Sequence, residues 1–166
     1  MAISLGSAGI GATAALTGTA LQLRHAQADR ERAEQAAWRN RAGTIIGPLR
    51  GVLADMEPRA IAEGGGRSDK TLANIGRRWW RARDDLLVFA AASPLPQIAV
   101  AGQEAAAAVG RSWTSMNSLN SALHAEGEAE RGGVGALLDR ACSDHDAATA
   151  SVDTLWRLAG EATARA

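Results

Sequence analysis

The sequence predicts an all-α chain: an N-terminal transmembrane helix followed by an antiparallel up-down bundle of about four helices. Three observations predict it. Residues 1–23 contain no ionisable side chain, and charge begins abruptly at Arg24. Alanine is abundant, Tyr is absent and Pro occurs 4 times in 166 residues, which favours helix over sheet. Beyond the leader, apolar residues recur three and four positions apart between clear breaks near 57–68, 93–96 and 125–133.

A spanning helix needs about 20 apolar residues to cross roughly 30 Å of hydrocarbon. Residues 3–23 have the length, with Ile3, Leu5, Ile10, Leu16, Leu21 and Leu23 as their large apolar side chains. Gly, Ser and Thr between them offset much of the insertion free energy, so a lone helix inserts only marginally. Gly6, Gly9, Gly11 and Gly18 supply a remedy. Ser7 to Gly11 and Ala14 to Gly18 fit the small-xxx-small spacing that lets two spanning helices approach closely. The expected partners are therefore the lipid bilayer and, through this helix, a second copy of the chain or another membrane protein. Arg24, Arg30 and Arg32 follow directly and set the expected topology, with the N-terminus outside and the bulk of the chain cytoplasmic. A cleavable signal peptide fits less well, because the leader has no basic opening region. A soluble, alanine-rich helix packed on the bundle or on a partner remains the competing reading.

Residues 24–43 read as a juxtamembrane helical extension with a solvated, mixed-charge surface and Trp38 as its packing anchor. Residues 44–166 form the expected cytoplasmic bundle. Gly43 and Thr44 mark a break, and a helix from Thr44 to Met56 shows Ile45, Ile46, Leu49, Val52, Leu53 and Met56 on one side. Pro58 ends it, Arg59 to Glu63 form one more turn, and the glycines at 64–66 make a loop. The next helix starts at Ser68 or Asp69 and runs to about Ala92, with Leu72, Ile75, Trp79, Leu86, Leu87 and Ala90 inward. Ser93 and Pro94 are expected to cap and open the following helix, which ends near His124. Its inward set is Ile98, Ala101, Ala105, Val109, Trp113, Met116 and Leu123. The last helix, from Val134 to about Ala164, has the most regular seam: Val134, Leu138, Ala141, His145, Ala148, Val152, Leu155 and Ala159.

Composition bounds the function. Formal net charge is +0, so no overall field attracts nucleic acid, and none is expected as a partner. Cys142 is the single cysteine, which rules out an intrachain disulfide. Cys142 and His145 share one side of the last helix, yet a metal site needs three or four ligands and a thiol nucleophile needs a base and an orienting group. His145 reads as a half-buried histidine bonded to a neighbouring helix; a metal or thiol centre at Cys142 and His145 is the lesser alternative. Glu126, Glu128 and Glu130 lack the Asp-rich calcium loop, and the glycines at 43, 47, 51 and 64–66 lack the Gly-Lys-Ser/Thr of a phosphate loop. No catalytic, cofactor or metal residue is assigned, and no enzyme activity is expected. The candidate contact surface is Arg77, Arg78, Trp80 and Arg81, where Arg and Trp interleave.

The Gly/Ala-rich leader, the Arg/Glu helix, the run Ile46-Gly-Pro-Leu-Arg-Gly-Val-Leu53 and the Ala92-Ser-Pro-Leu-Pro96 break together resemble small, N-terminally membrane-anchored, uncharacterised helical proteins of high-GC bacteria. The resemblance implies the anchor and no activity or binding residues. The function expected is that of a protein-interaction or assembly component.

Overall fold

The computed structural model describes residues 7–93, 95–125 and 133–162. These are helical almost throughout: α1 (Ser7–Asp55), the short α2 (Pro58–Glu63), α3 (Asp69–Ala91), α4 (Pro96–His124) and α5 (Val134–Ala162). The C-terminal part of α1 packs on α3 and α5, α3 packs on α4, and α4 makes its most extensive contact with α5. The long helices thus form a closed ring of four in which α1 and α4 face each other across the diagonal. Short connections between successive helices make neighbours antiparallel, as the sequence predicts.

The core follows from helical spacing. Ile46, Leu49, Val52 and Leu53 of α1, with Met56 just beyond its end, meet Ile75, Trp79, Leu86 and Phe89 of α3, with Ile98, Val109, Met116 and Leu119 of α4 and Val152 and Leu155 of α5 completing one cluster. Buried alanines are frequent on α4 and α5, Ala105 and Ala148 among them, which allows close helix approach. α3 and α4 approach closely at Gly102: a Cβ there would lie 2.5 Å from the Ala90 Cβ.

Local chemistry sets the helix ends. Ser68 caps α3, its hydroxyl accepting from the Thr71 N–H. Glu57 caps α2 by accepting from the Arg59 and Ala60 N–H groups, with Pro58 in the first turn. Gly65 and Gly66 then turn the chain with φ of 71° and 99°, values that disfavour any residue with a Cβ. After that turn the Arg67 N–H donates to Asn120 Oδ1 at 2.7 Å, and Asn120 is buried. This closes the end of the bundle where α2 covers α4 and α5.

Two expectations are corrected, and one gains no support. The transmembrane helix at residues 1–23 gains no support: among the described residues no helix is long and apolar enough to cross a membrane. Gly, Ser and Thr dilute the leader, and α1 runs from it into charged sequence without interruption. The break at Gly43 and Thr44 is absent, because the Thr44 hydroxyl donates to the Arg41 carbonyl within the helix instead of capping a new one. Pro48 sits inside α1 on its exposed side. Finally, α4 opens at Pro96 rather than Pro94, with Leu95 as its N-cap residue; the Ser93 hydroxyl accepts from the Leu95 N–H at 3.2 Å. Pro94, Gly6 and residues 126–132, with the three glutamates, lie outside the described residues.

α1 divides by environment. Its described side chains from Leu21 to Arg41 are exposed, apart from half-covered Ala28 and Trp38. Trp38 stacks on Phe89 with centroids 4.5 Å apart and marks where the helix joins the core. At 1.5 Å per residue, the exposed stretch 21–38 alone makes an arm about 25 Å long.

Candidate functional site

A surface cleft of about 390 Å³ opens between α3, α4 and α5. α3 brings Trp79, Trp80 and Arg83 to it, α4 brings Arg111, Trp113 and Ser115, and α5 brings Arg140 and Asp144. The indoles are organised from the core outward. Trp79 is 1% exposed and anchors the group. Trp113 stacks against it with centroids 5.4 Å apart, and Trp80 meets it edge-on at 4.8 Å. Trp113 reaches this position because Gly76 has no side chain: a Cβ there would lie 2.8 Å from the Trp113 ring.

Positive charge surrounds these rings. The Arg83 guanidinium lies 5.2 Å from the centre of the half-exposed Trp80 ring, a cation–π arrangement. Its ion pair with Asp84 is long at 3.8 Å. Arg140 stands 3.9 Å from Asp144, whose carboxylate also accepts from the Ser115 hydroxyl. Arg111 is exposed and makes no ion pair among the described residues. Arg83, Arg111 and Arg140 stand against Asp84 and Asp144, leaving an aromatic-lined groove with one positive charge in excess.

Of the surface expected from the sequence, only Trp80 belongs here. Arg77 and Arg81 are exposed outside the groove, and Arg78 is turned to Asp55 of α1 at 2.7 Å. Arg83 closes the same Arg/Trp run, and the sequence reading missed Arg111, Arg140 and Asp144. Each flanks the apolar stripe of its own helix, and that flank position was the available signal. Which flanks converge depends on the order of helices around the bundle, which no single helix records.

The Cys142 and His145 pair does not assemble a centre. Both are half-buried, and among the described residues no three His, Cys, Asp or Glu are placed to hold a metal ion. His145 occupies the seam as expected, but its Nδ1 is buried and, among the described residues, has no hydrogen-bond partner on a neighbouring helix. Burial pushes its pKa below the ordinary value, opposed by the nearby charges of Asp146 and Glu57. It borders a cleft of about 250 Å³ with Arg50, Leu53 and Asp153. Arg50 bonds Asp153 at 2.5 Å and lies 5.5 Å from the Trp156 ring, tying α1 to α5.

No family model, curated protein or solved structure matches the chain. Function must therefore be argued from the geometry alone.

The residues expected to act in a membrane helix fall on the arm. Gly9, Gly11 and Gly18 are within α1. Arg24, Arg30 and Arg32 are exposed, with Arg32 paired to Asp29 at 3.2 Å. Leu21 and Leu23, 54% and 66% exposed, are large apolar side chains left open on the helix surface.

Proposed function

We propose that this protein is a non-enzymatic assembly component: a helical bundle that presents the N-terminal arm of α1 for association, first of all with a second copy of itself. The observation that carries this reading is the unpartnered arm. A helix with solvent on every side is marginal in water, because most helical stability in proteins comes from tertiary packing. The arm's own side-chain support is slight, such as the Gln27 to Glu31 hydrogen bond at 3.3 Å and the Asp29–Arg32 pair. The small residues Gly11, Ala14 and Gly18, with Leu21 beyond them, supply the narrow surface on which two such helices approach.

A bilayer is the second reading, favoured by the absence of ionisable side chains ahead of Arg24. In that case the arm inserts with the help of helix pairing, the N-terminus lies outside and the bundle is cytoplasmic.

One experiment separates them. The full-length chain is expressed, membranes are washed with carbonate, and the mass of the soluble fraction is measured by light scattering. Soluble oligomers that dissociate in Gly11→Ile and Gly18→Ile support self-association. Retention in the washed membrane supports the bilayer. A soluble monomer at micromolar concentration overturns both.

A further inference from the structure

We propose that the groove between α3, α4 and α5 is a binding site for a mononucleotide, a ligand that joins a flat ring to a phosphate. Three observations converge on that class. First, Trp80 and Trp113 border an open cleft over a buried Trp79, so ring faces are available to a planar ligand from a preformed platform. Stacking on such indoles is tolerant of which base is present, because every base offers a π-face. Second, Arg83, Arg111 and Arg140 leave donor capacity unused. Arg83 and Arg140 meet carboxylates only at 3.8 Å and 3.9 Å, beyond hydrogen-bond length. Arg111 has no ion pair among the described residues. Guanidiniums gathered around one cleft repel one another until an oxyanion arrives, and their planar forks match phosphate bidentately. Third, Trp79 lines the cleft, and its buried indole N–H has no acceptor among the described residues, a costly arrangement beneath the platform.

Size and charge narrow the class. At about 390 Å³ the cleft falls in the range of small-molecule sites and suits one nucleotide rather than a strand. Asp144 and Asp84 offset two of the three positive charges, and the Asp144 carboxylate is already engaged by Ser115. The remaining positive charge favours an anionic group, and the planar guanidinium forks match the oxygens of a phosphate. Nothing in this inference depends on the arm, so it stands or falls separately from the assembly reading.

The test uses the full-length chain and its own tryptophan fluorescence, with calorimetry as the second measurement. AMP, GMP and UMP are titrated, then adenosine and inorganic phosphate separately, then a short oligothymidylate. The expected result is quenching and heat with the mononucleotides, and about ten-fold or greater weakening when either the ring or the phosphate is missing. Arg111→Ala and Trp80→Ala, both surface changes, lower mononucleotide affinity about ten-fold or more, while Arg77→Ala leaves it unchanged. Unaltered thermal midpoints confirm that the variants fold. Absence of binding by all three mononucleotides overturns the proposal. So does equal weakening by Arg77→Ala, which marks diffuse charge attraction, or markedly tighter binding of the oligothymidylate, which marks a strand site.

Discussion

His145 shows how one side chain both builds the seam and weakens it. Its ring fills a core-flanking position on α5, yet its Nδ1 finds no partner and burial disfavours the charged form. The folded pKa therefore lies below that of the unfolded chain, about 6.5. The unfolded state takes up the proton first, so the stability given by the neutral ring is intact above that pH and declines as pH falls toward the lowered folded value. The thermal midpoint should drop between about pH 7 and 5.5, and less steeply in His145→Gln; parallel slopes would refute the assignment. Glu57 has the opposite sign. The Ala60 N–H, then the Arg59 N–H, hold its carboxyl below the usual range against the opposing effect of burial. Its contribution is present above the ordinary carboxylate pKa and is lost as pH falls through the lowered value. Removing this cap in Glu57→Ala should cost about 1 kcal/mol in urea unfolding. The sequence revealed that His145 lies on the seam, because periodicity is local. It did not reveal the orphaned Nδ1, which depends on what the other helices fail to offer.

Among the helices, glycine gives the sharpest contrast. Gly51 is exposed in the interior of α1, and a Cβ there would meet nothing within 4 Å. Gly51→Ala should stabilise by about 0.5–1 kcal/mol through helix propensity and unfolded-state entropy. Gly102 has the same propensity deficit but sits where α4 crosses α3, so Gly102→Ala should destabilise by about 1–3 kcal/mol through overpacking. Chemical denaturation of both variants reads the difference in sign. The bounds of α3, α4 and α5 were largely legible, because Ser68, the 93–96 segment and the glycines around 133 interrupt regular apolar spacing. The false break at Gly43 and Thr44 arose because both residue types often end helices. Burial of Ala42, Ile46 and Leu49 on one continuous face outweighed that local preference. The aromatic groove was legible only in its α3 part, since the residues that complete it are far apart in sequence.

Taken whole, the chain joins a well-packed bundle to an arm with little tertiary support. Local stability should therefore fall sharply on the N-terminal side of Trp38. Trypsin should cut first at exposed Arg24, Arg30 and Arg32 and leave a fragment beginning near Arg39 or Arg41, read by mass spectrometry over time. Under conditions where the chain self-associates, those cuts should slow relative to cleavage in the bundle; equal rates would argue against a partnered arm. The up-down arrangement was legible from short loops and seam spacing. The projection of the arm was not, since its freedom from contact is a property of the assembled helices. The same helix that extends outward also supplies Ile46, Leu49 and Val52 to the interior, and no turn separates the two roles. Trp38 clasps it at the junction through Phe89. The arm is thus joined to the interior without a hinge: when a partner holds it helical, a tilt imposed on it reaches the seats of α3 and α5 through one continuous helix.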